Sequence, residues 1–67
     1  MEYFELEMQG EYLRVEWNGK GTFNIQFPIG GQWVDCECFT NYEVDTTQEA
    51  LECAVEWINQ NIFEFEE

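Results

Sequence analysis

Carboxylates dominate the chemistry open to this chain. Fifteen of its 67 residues are Asp or Glu against two Lys and Arg, a net charge of −13. A pair of carboxylates can serve as general acid and base, but only in a cleft that raises one of the two pKa values. A chain this short, with room for a single core, offers little cleft. His and Ser are both absent, so triads built on Ser or Cys with His cannot be assembled. Catalysis is therefore not expected. Metal binding fares little better. The Asp and Glu positions do not follow the oxygen-ligand spacing of a calcium loop. Three Cys without His fall short of a four-ligand zinc site. No metal and no cofactor is expected.

What remains is binding by charge. A comfortable net charge for a small soluble domain is roughly 2 to 8 in magnitude, and −13 exceeds it. Nucleic acid and anionic membrane surfaces would repel such a chain, whereas a basic protein surface complements it. The N-terminal stretch MEYFELEM lacks the basic and apolar regions of a signal peptide. No apolar run approaches the ~20 residues needed to span a bilayer, so a cytoplasmic location is expected. The apolar share of 45%, with six Phe, three Trp and three Tyr, is that of a chain that folds.

The elements that must position the carboxylates are legible in the periodicity. Four segments alternate at period two, as half-buried strands do, over about 3–8, 11–17, 22–27 and 33–39. The inward sets are Phe4, Leu6 and Met8; Leu13, Val15 and Trp17; Phe23, Ile25 and Phe27; and Val34, Cys36 and Cys38. Faces and turns must agree, because a slip of one residue inverts a strand. A two-residue loop at Gln9-Gly10 pairs Leu6 with Leu13 and Phe4 with Val15. A three-residue loop Asn18-Gly19-Lys20 pairs Val15 with Phe23 and Leu13 with Ile25. A longer PIGGQ connection sets Phe27 opposite Val34 and Ile25 opposite Cys36.

The period then changes to that of a helix, over about 47–61. Thr46 and Glu49 form a capping box, with Glu49 reaching back to the Thr46 backbone N–H. Leu51, Val55, Ile58 and Ile62 define the apolar stripe, widened on one side by Ala50, Ala54 and Trp57. Glu49, Glu52, Glu56 and Gln60 lie opposite. The chain closes on an acidic tail, 63–67. Together these describe one small α+β domain over 1–67, a two-layer ββββα arrangement. It is a four-stranded antiparallel meander with one C-terminal amphipathic helix packed on one face. Cys36 and Cys38 are expected in the core as small hydrophobes, and Cys53 at the border of the helix's apolar side. An odd number of Cys without an export signal points to reduced thiols.

One helix leaves the other sheet face open. The alternation places Glu7, Glu16, Asp35 and Glu37 there, with Tyr3, Tyr12, Trp33 and Phe39 among them, and pairs Glu5 with Arg14. Glu49, Glu52 and Glu56 add negative charge on the helix. Large aromatics beside charge are typical of protein interfaces, so these seven acidic residues outside the Glu5–Arg14 pair, with Tyr12, Trp33 and Phe39, are the candidate partner-binding set. In size, acidity and simplicity the chain is similar to the inhibitors that phages and other mobile elements carry against restriction and CRISPR nucleases, a likeness of type carried by no motif. It implies a nucleic-acid mimic, acting in the host cytoplasm, on the basic surface of a nucleic-acid-binding protein or nuclease complex. The alternative is an interaction module, monomer or homodimer, that uses the aromatic-studded sheet face.

Overall fold

The computed structural model describes residues 1–63. Strands β1 (Glu2–Met8), β2 (Glu11–Trp17), β3 (Thr22–Ile29) and β4 (Gln32–Thr40) precede helix α1 (Thr47–Ile58), which ends in a π-helical turn, Asn59–Phe63. The strands form one antiparallel sheet in the order β1-β2-β3-β4. With the helix packed on one face, the architecture is the α+β, ββββα arrangement that the periodicity describes. The expected tail over 63–67 lies, beyond Phe63, outside the described residues. Among the described residues no helix is long and apolar enough to cross a membrane.

The first hairpin follows from its turn. Gln9 and Gly10 both take positive φ, 54° and 77°, the pattern of a two-residue turn whose twist matches the strands. Leu6 therefore meets Leu13, and Phe4 meets Val15. The second connection departs from expectation. Trp17 pairs with Phe23 and Val15 with Ile25, which leaves five residues, 18–22, between the paired ends instead of three. The Asn18 side chain accounts for it. Its Oδ1 accepts from the backbone N–H groups of Lys20, Gly21 and Thr22 at 2.8, 3.0 and 3.1 Å, so the loop is built around one acceptor. The register moves by two residues, and the faces survive. Gly21 is buried beneath the Tyr42 ring, which leaves no space for a Cβ.

PIGGQ is not a long loop. Pairing continues through Pro28 opposite Trp33 and Ile29 opposite Gln32, and only Gly30-Gly31 turns, at φ of 63° and 81°. Pro28 is tolerated because β2 pairs with β3 only over Phe23–Gln26, so no β2 partner needs the N–H that proline lacks.

The largest correction falls in β4. Phe27 faces Val34 and Gln26 faces Asp35, but Ile25 then faces Glu37 and Phe23 faces Phe39. Cys36 is the extra residue of a β-bulge. Beyond it the alternation is inverted relative to a regular strand. Cys36 and Cys38, expected inside, are exposed. Phe39, expected on the open face, stacks in the core. Glu37, two residues before Phe39 and opposite the buried Ile25, follows it to the helix side. The physical reason is the aromatic preference: burying Phe39 against two rings outweighs burying two small thiols.

The core consists of Leu13, Val15, Trp17, Phe23, Ile25, Val44, Ala50, Ala54 and Ile58. A four-ring stack runs through it. Trp17 lies 6.2 Å from Phe23, Phe23 lies 4.6 Å from Phe39, and Phe39 lies 4.5 Å from Trp57 of the helix, with interplanar angles of 20°, 4° and 9°. The last contact sets the rotation of α1. Its buried line is Ala50, Ala54 and Ile58, while Leu51 and Val55 are only half-buried. Ile58 of the expected Leu51/Val55/Ile58/Ile62 stripe is buried, but the seam is rotated from that stripe's centre toward the flanking Ala50 and Ala54, and these two alanines bring the helix close to the sheet. Thr46 caps as expected, accepting from the Glu49 N–H at 3.1 Å. The return bond falls one residue earlier than expected, from the Asp45 N–H to Glu49 Oε1 at 2.9 Å. The α-helix also stops short of residue 61, because the chain widens to the π-turn after Ile58.

Two outcomes follow for stability. Phe39→Ala removes a ring from the middle of the stack and is expected to cost about 2 kcal/mol or more in urea unfolding, while Cys36→Ser and Cys38→Ser stay within about 0.5 kcal/mol. A core location for the thiols would reverse that order. Separately, Gln9→Asn places a residue that tolerates positive φ at the first turn position and is expected to raise stability by about 0.5 kcal/mol, read as a higher urea midpoint at unchanged slope.

Candidate protein-binding face

The sheet face away from α1 is assembled by register. β1 contributes Tyr3, Glu5 and Glu7; β2 contributes Tyr12, Arg14 and Glu16; β3 contributes Asn24 and Gln26; β4 contributes Trp33 and Asp35. Cross-strand neighbours are Tyr3 and Glu16, Glu5 and Arg14, Glu7 and Tyr12, Arg14 and Gln26, Gln26 and Asp35. Such partners hold their Cβ atoms about 5 Å apart, so each pair is in reach.

Gln26 is the centre of the face. Its relative exposure is 8%, although it lies on the side that carries no helix. A buried amide is costly unless hydrogen-bonded, and this one is engaged at both ends. Its Oε1 accepts from Arg14 Nε at 2.8 Å. Its Nε2 donates to Asp35 Oδ1 at 2.7 Å and, more weakly, to Glu16 Oε1 at 3.4 Å. Asn24 Nδ2 also donates to Glu16 Oε1, at 3.5 Å. Two carboxylates are thereby fixed to the central strand.

Arg14 roofs this network. Its guanidinium carbon lies 4.5 Å from the Tyr3 ring centroid and 4.7 Å from that of Trp33. Both are within cation–π range. Trp33 in turn meets Tyr12 at 5.7 Å and 47°. The expected Arg14–Glu5 pair is not how these side chains are used. Glu5 is opposite Arg14 in register, but its Oε1 accepts the Tyr12 hydroxyl proton at 2.5 Å, while Arg14 turns to Gln26 and the two rings. That bond stabilises the neutral phenol, and together with slight desolvation and the charges of Glu5 and Glu7 it raises the Tyr12 pKa above the usual 10.0.

Of the candidate partner-binding residues, Tyr12, Trp33, Glu7, Glu16 and Asp35 share this face. Glu37 and Phe39 are carried to the other side by the bulge. Glu49, Glu52 and Glu56 are exposed on α1, across the core from the open face. Their carboxylates accept from the Asp45 N–H, from Gln48 Nε2 at 2.9 Å and from Gln60 Nε2 at 3.4 Å. The acidity is therefore split between two surfaces. Sequence reasoning missed Arg14 and Gln26 as organisers and left Tyr3 out of the set. The available signal was Gln26 itself, a long polar residue on the outward side of a central strand; its place opposite Arg14 follows only from the observed register.

A shallow concavity marks the bulge, bordered by Asn24, Asp35, Cys36, Glu37 and Cys38. Among the described residues no three His, Cys, Asp or Glu side chains are grouped to hold a metal ion. The chain matches no family model, no curated protein and no solved structure.

Because the folded pKa of Tyr12 is raised, its contribution to stability is complete below the ordinary tyrosine value and is lost as pH rises through the folded value. A carbon-13 NMR titration of the tyrosine Cζ atoms is expected to show Tyr12 ionising above 10.0, with Glu5→Ala returning it toward that value. A Tyr12 titration unchanged in Glu5→Ala would assign the shift to another cause.

Proposed function

We propose that this chain is a non-enzymatic acidic binding protein that occupies the basic surface of a nucleic-acid-binding protein, as a mimic of the nucleic acid. The observation that carries this is the fixed placement of Glu16 and Asp35 by Gln26, on a face where Glu5, Glu7, Glu16 and Asp35 stand against one guanidinium. A flexible acidic surface attracts any cation weakly. A surface whose carboxylates are held in place meets a row of Lys and Arg with little ordering cost. The net charge of −13 adds long-range attraction and fast association. Nucleic acid presents a charge about every 1.7 Å along the duplex axis, and proteins that bind it carry matching rows of base. A nuclease complex of the kind targeted by phage anti-defence inhibitors belongs to that class of partner.

A second function is favoured by a separate observation. Tyr3, Tyr12 and Trp33 form an aromatic cluster on the same face, and such residues supply the buried anchors of ordinary protein interfaces. An interaction module would then bind through ring burial, with charge contributing mainly to rate.

The two are separated by competition and salt. The partner is captured from the native host with the intact chain as bait. A mimic is expected to lose its partner to added DNA or RNA, and to lose at least about tenfold in affinity between ~50 and ~200 mM salt. Glu16→Lys and Asp35→Lys are expected to weaken binding at least about tenfold each, with Glu52→Gln nearly neutral. Simultaneous binding of nucleic acid, or affinity indifferent to salt, would overturn mimicry. A larger loss from Glu52→Gln than from Asp35→Lys would move the contact to the helix.

A further inference from the structure

We propose that the open sheet face docks arginine side chains in preference to lysine, so that its partner is a basic protein surface rich in arginine. This rests on the proposal that the face binds a basic protein, and it adds which cation is recognised and by what.

The chain carries its own example of the contact. The Arg14 guanidinium carbon lies 4.5 and 4.7 Å from the Tyr3 and Trp33 ring centroids, and its Nε donates to Gln26. The face therefore already shows one feature that distinguishes a guanidinium from an ammonium ion, contact with aromatic rings, while the fork of N–H groups is used there only once, on an amide oxygen. A guanidinium is planar, weakly hydrated and able to stack on a ring, and its fork of N–H groups matches a carboxylate in two bonds. An ammonium is a compact, strongly hydrated point charge that gains less from either.

A ring beside a carboxylate occurs at two exposed positions of the same face, one of them Tyr3, whose ring Arg14 also contacts. Tyr3 and Tyr12 keep 52% and 49% of their surface exposed. Each has a carboxylate as its direct cross-strand neighbour: Glu16 beside Tyr3 and Glu7 beside Tyr12. Each pair offers a ring to stack on and an acid to take the fork. Tyr3 and Glu7 are four residues apart on one strand, about 14 Å at ~3.4 Å per residue, so the two positions can be filled by two side chains of one segment. The charges exclude most other occupants. A second copy of this chain would bring the same carboxylates against themselves, and phosphate-bearing partners would be repelled.

The test titrates the full-length chain with hexa-arginine and hexa-lysine peptides by calorimetry at ~50 mM salt. Hexa-arginine is expected to bind about tenfold more tightly than hexa-lysine, the sum of two exposed cation–π contacts. Tyr3→Leu and Tyr12→Leu, made separately, are each expected to reduce that ratio, and together to bring it near one. Tyr12→Phe removes the hydroxyl bond to Glu5 but keeps the ring, and is expected to retain the preference. Equal affinity for the two peptides, or a preference that survives loss of both tyrosine rings, would overturn the arginine inference while leaving the acidic binding function standing. No binding of either peptide would overturn both.

Discussion

One unpaired residue in β4 holds the two faces of this protein together. Trp33 and Asp35 are needed on the open side, where Trp33 packs on Arg14 and Asp35 accepts from Gln26. Phe39 is needed on the other side, between Phe23 and Trp57. These residues are all odd-numbered, and a regular strand sends them to a single face. The bulge at Cys36 resolves the conflict by adding one residue between the two demands. Without it, either the aromatic stack loses its third ring or the open face loses two of its members. The core and the candidate binding surface are thus coupled through a position whose own side chain is exposed.

The polar side of the sheet is built with the same economy as the apolar side. A cluster of carboxylates with one guanidinium among them is self-repelling, and repulsion works against a compact state. Gln26 reduces the cost locally by donating to Asp35 and Glu16, while the Arg14 guanidinium lies within reach of the Tyr3 and Trp33 rings. The stabilising burial comes from the opposite face, where four rings and the helix's alanine seam meet. Order on the charged face is therefore supported by packing beneath it.

The parts legible in the sequence are those where periodicity and turn length agree. In β1 and β2 the alternation and the Gln9-Gly10 turn have one solution, and the observed register is that solution. Thr46 likewise marks the helix start unaided. The loop after Trp17 is two residues longer than the periodicity suggests because a side-chain acceptor, Asn18, sets its length, and such acceptors leave no trace in hydrophobic pattern. The bulge was invisible for a related reason: CEC and VDC read as regular alternation, and only the stacking of Phe39 on distant rings makes the inversion worthwhile. On the open face, Tyr12, Trp33, Glu7, Glu16 and Asp35 were legible because they precede the bulge or lie on other strands. Glu37 and Phe39 follow it and were not. The roles of Arg14 and Gln26 depend on three strands meeting, information that no single segment contains.

The two borders of the sheet differ in how they meet a neighbouring strand. Along β1 the alternate positions Glu5 and Glu7 turn a row of carboxylates outward beside the unpaired backbone, so an approaching strand of the same chain brings like charge against like. Along β4 the obstacle is geometric. The kink at Cys36 breaks the even ladder of donors and acceptors midway, and a flat strand can follow it over only half its length. Repulsion at one border and misfit at the other both disfavour growth of the sheet by strand addition. A surface rich in exposed rings can then be displayed without inviting the sheet to extend itself.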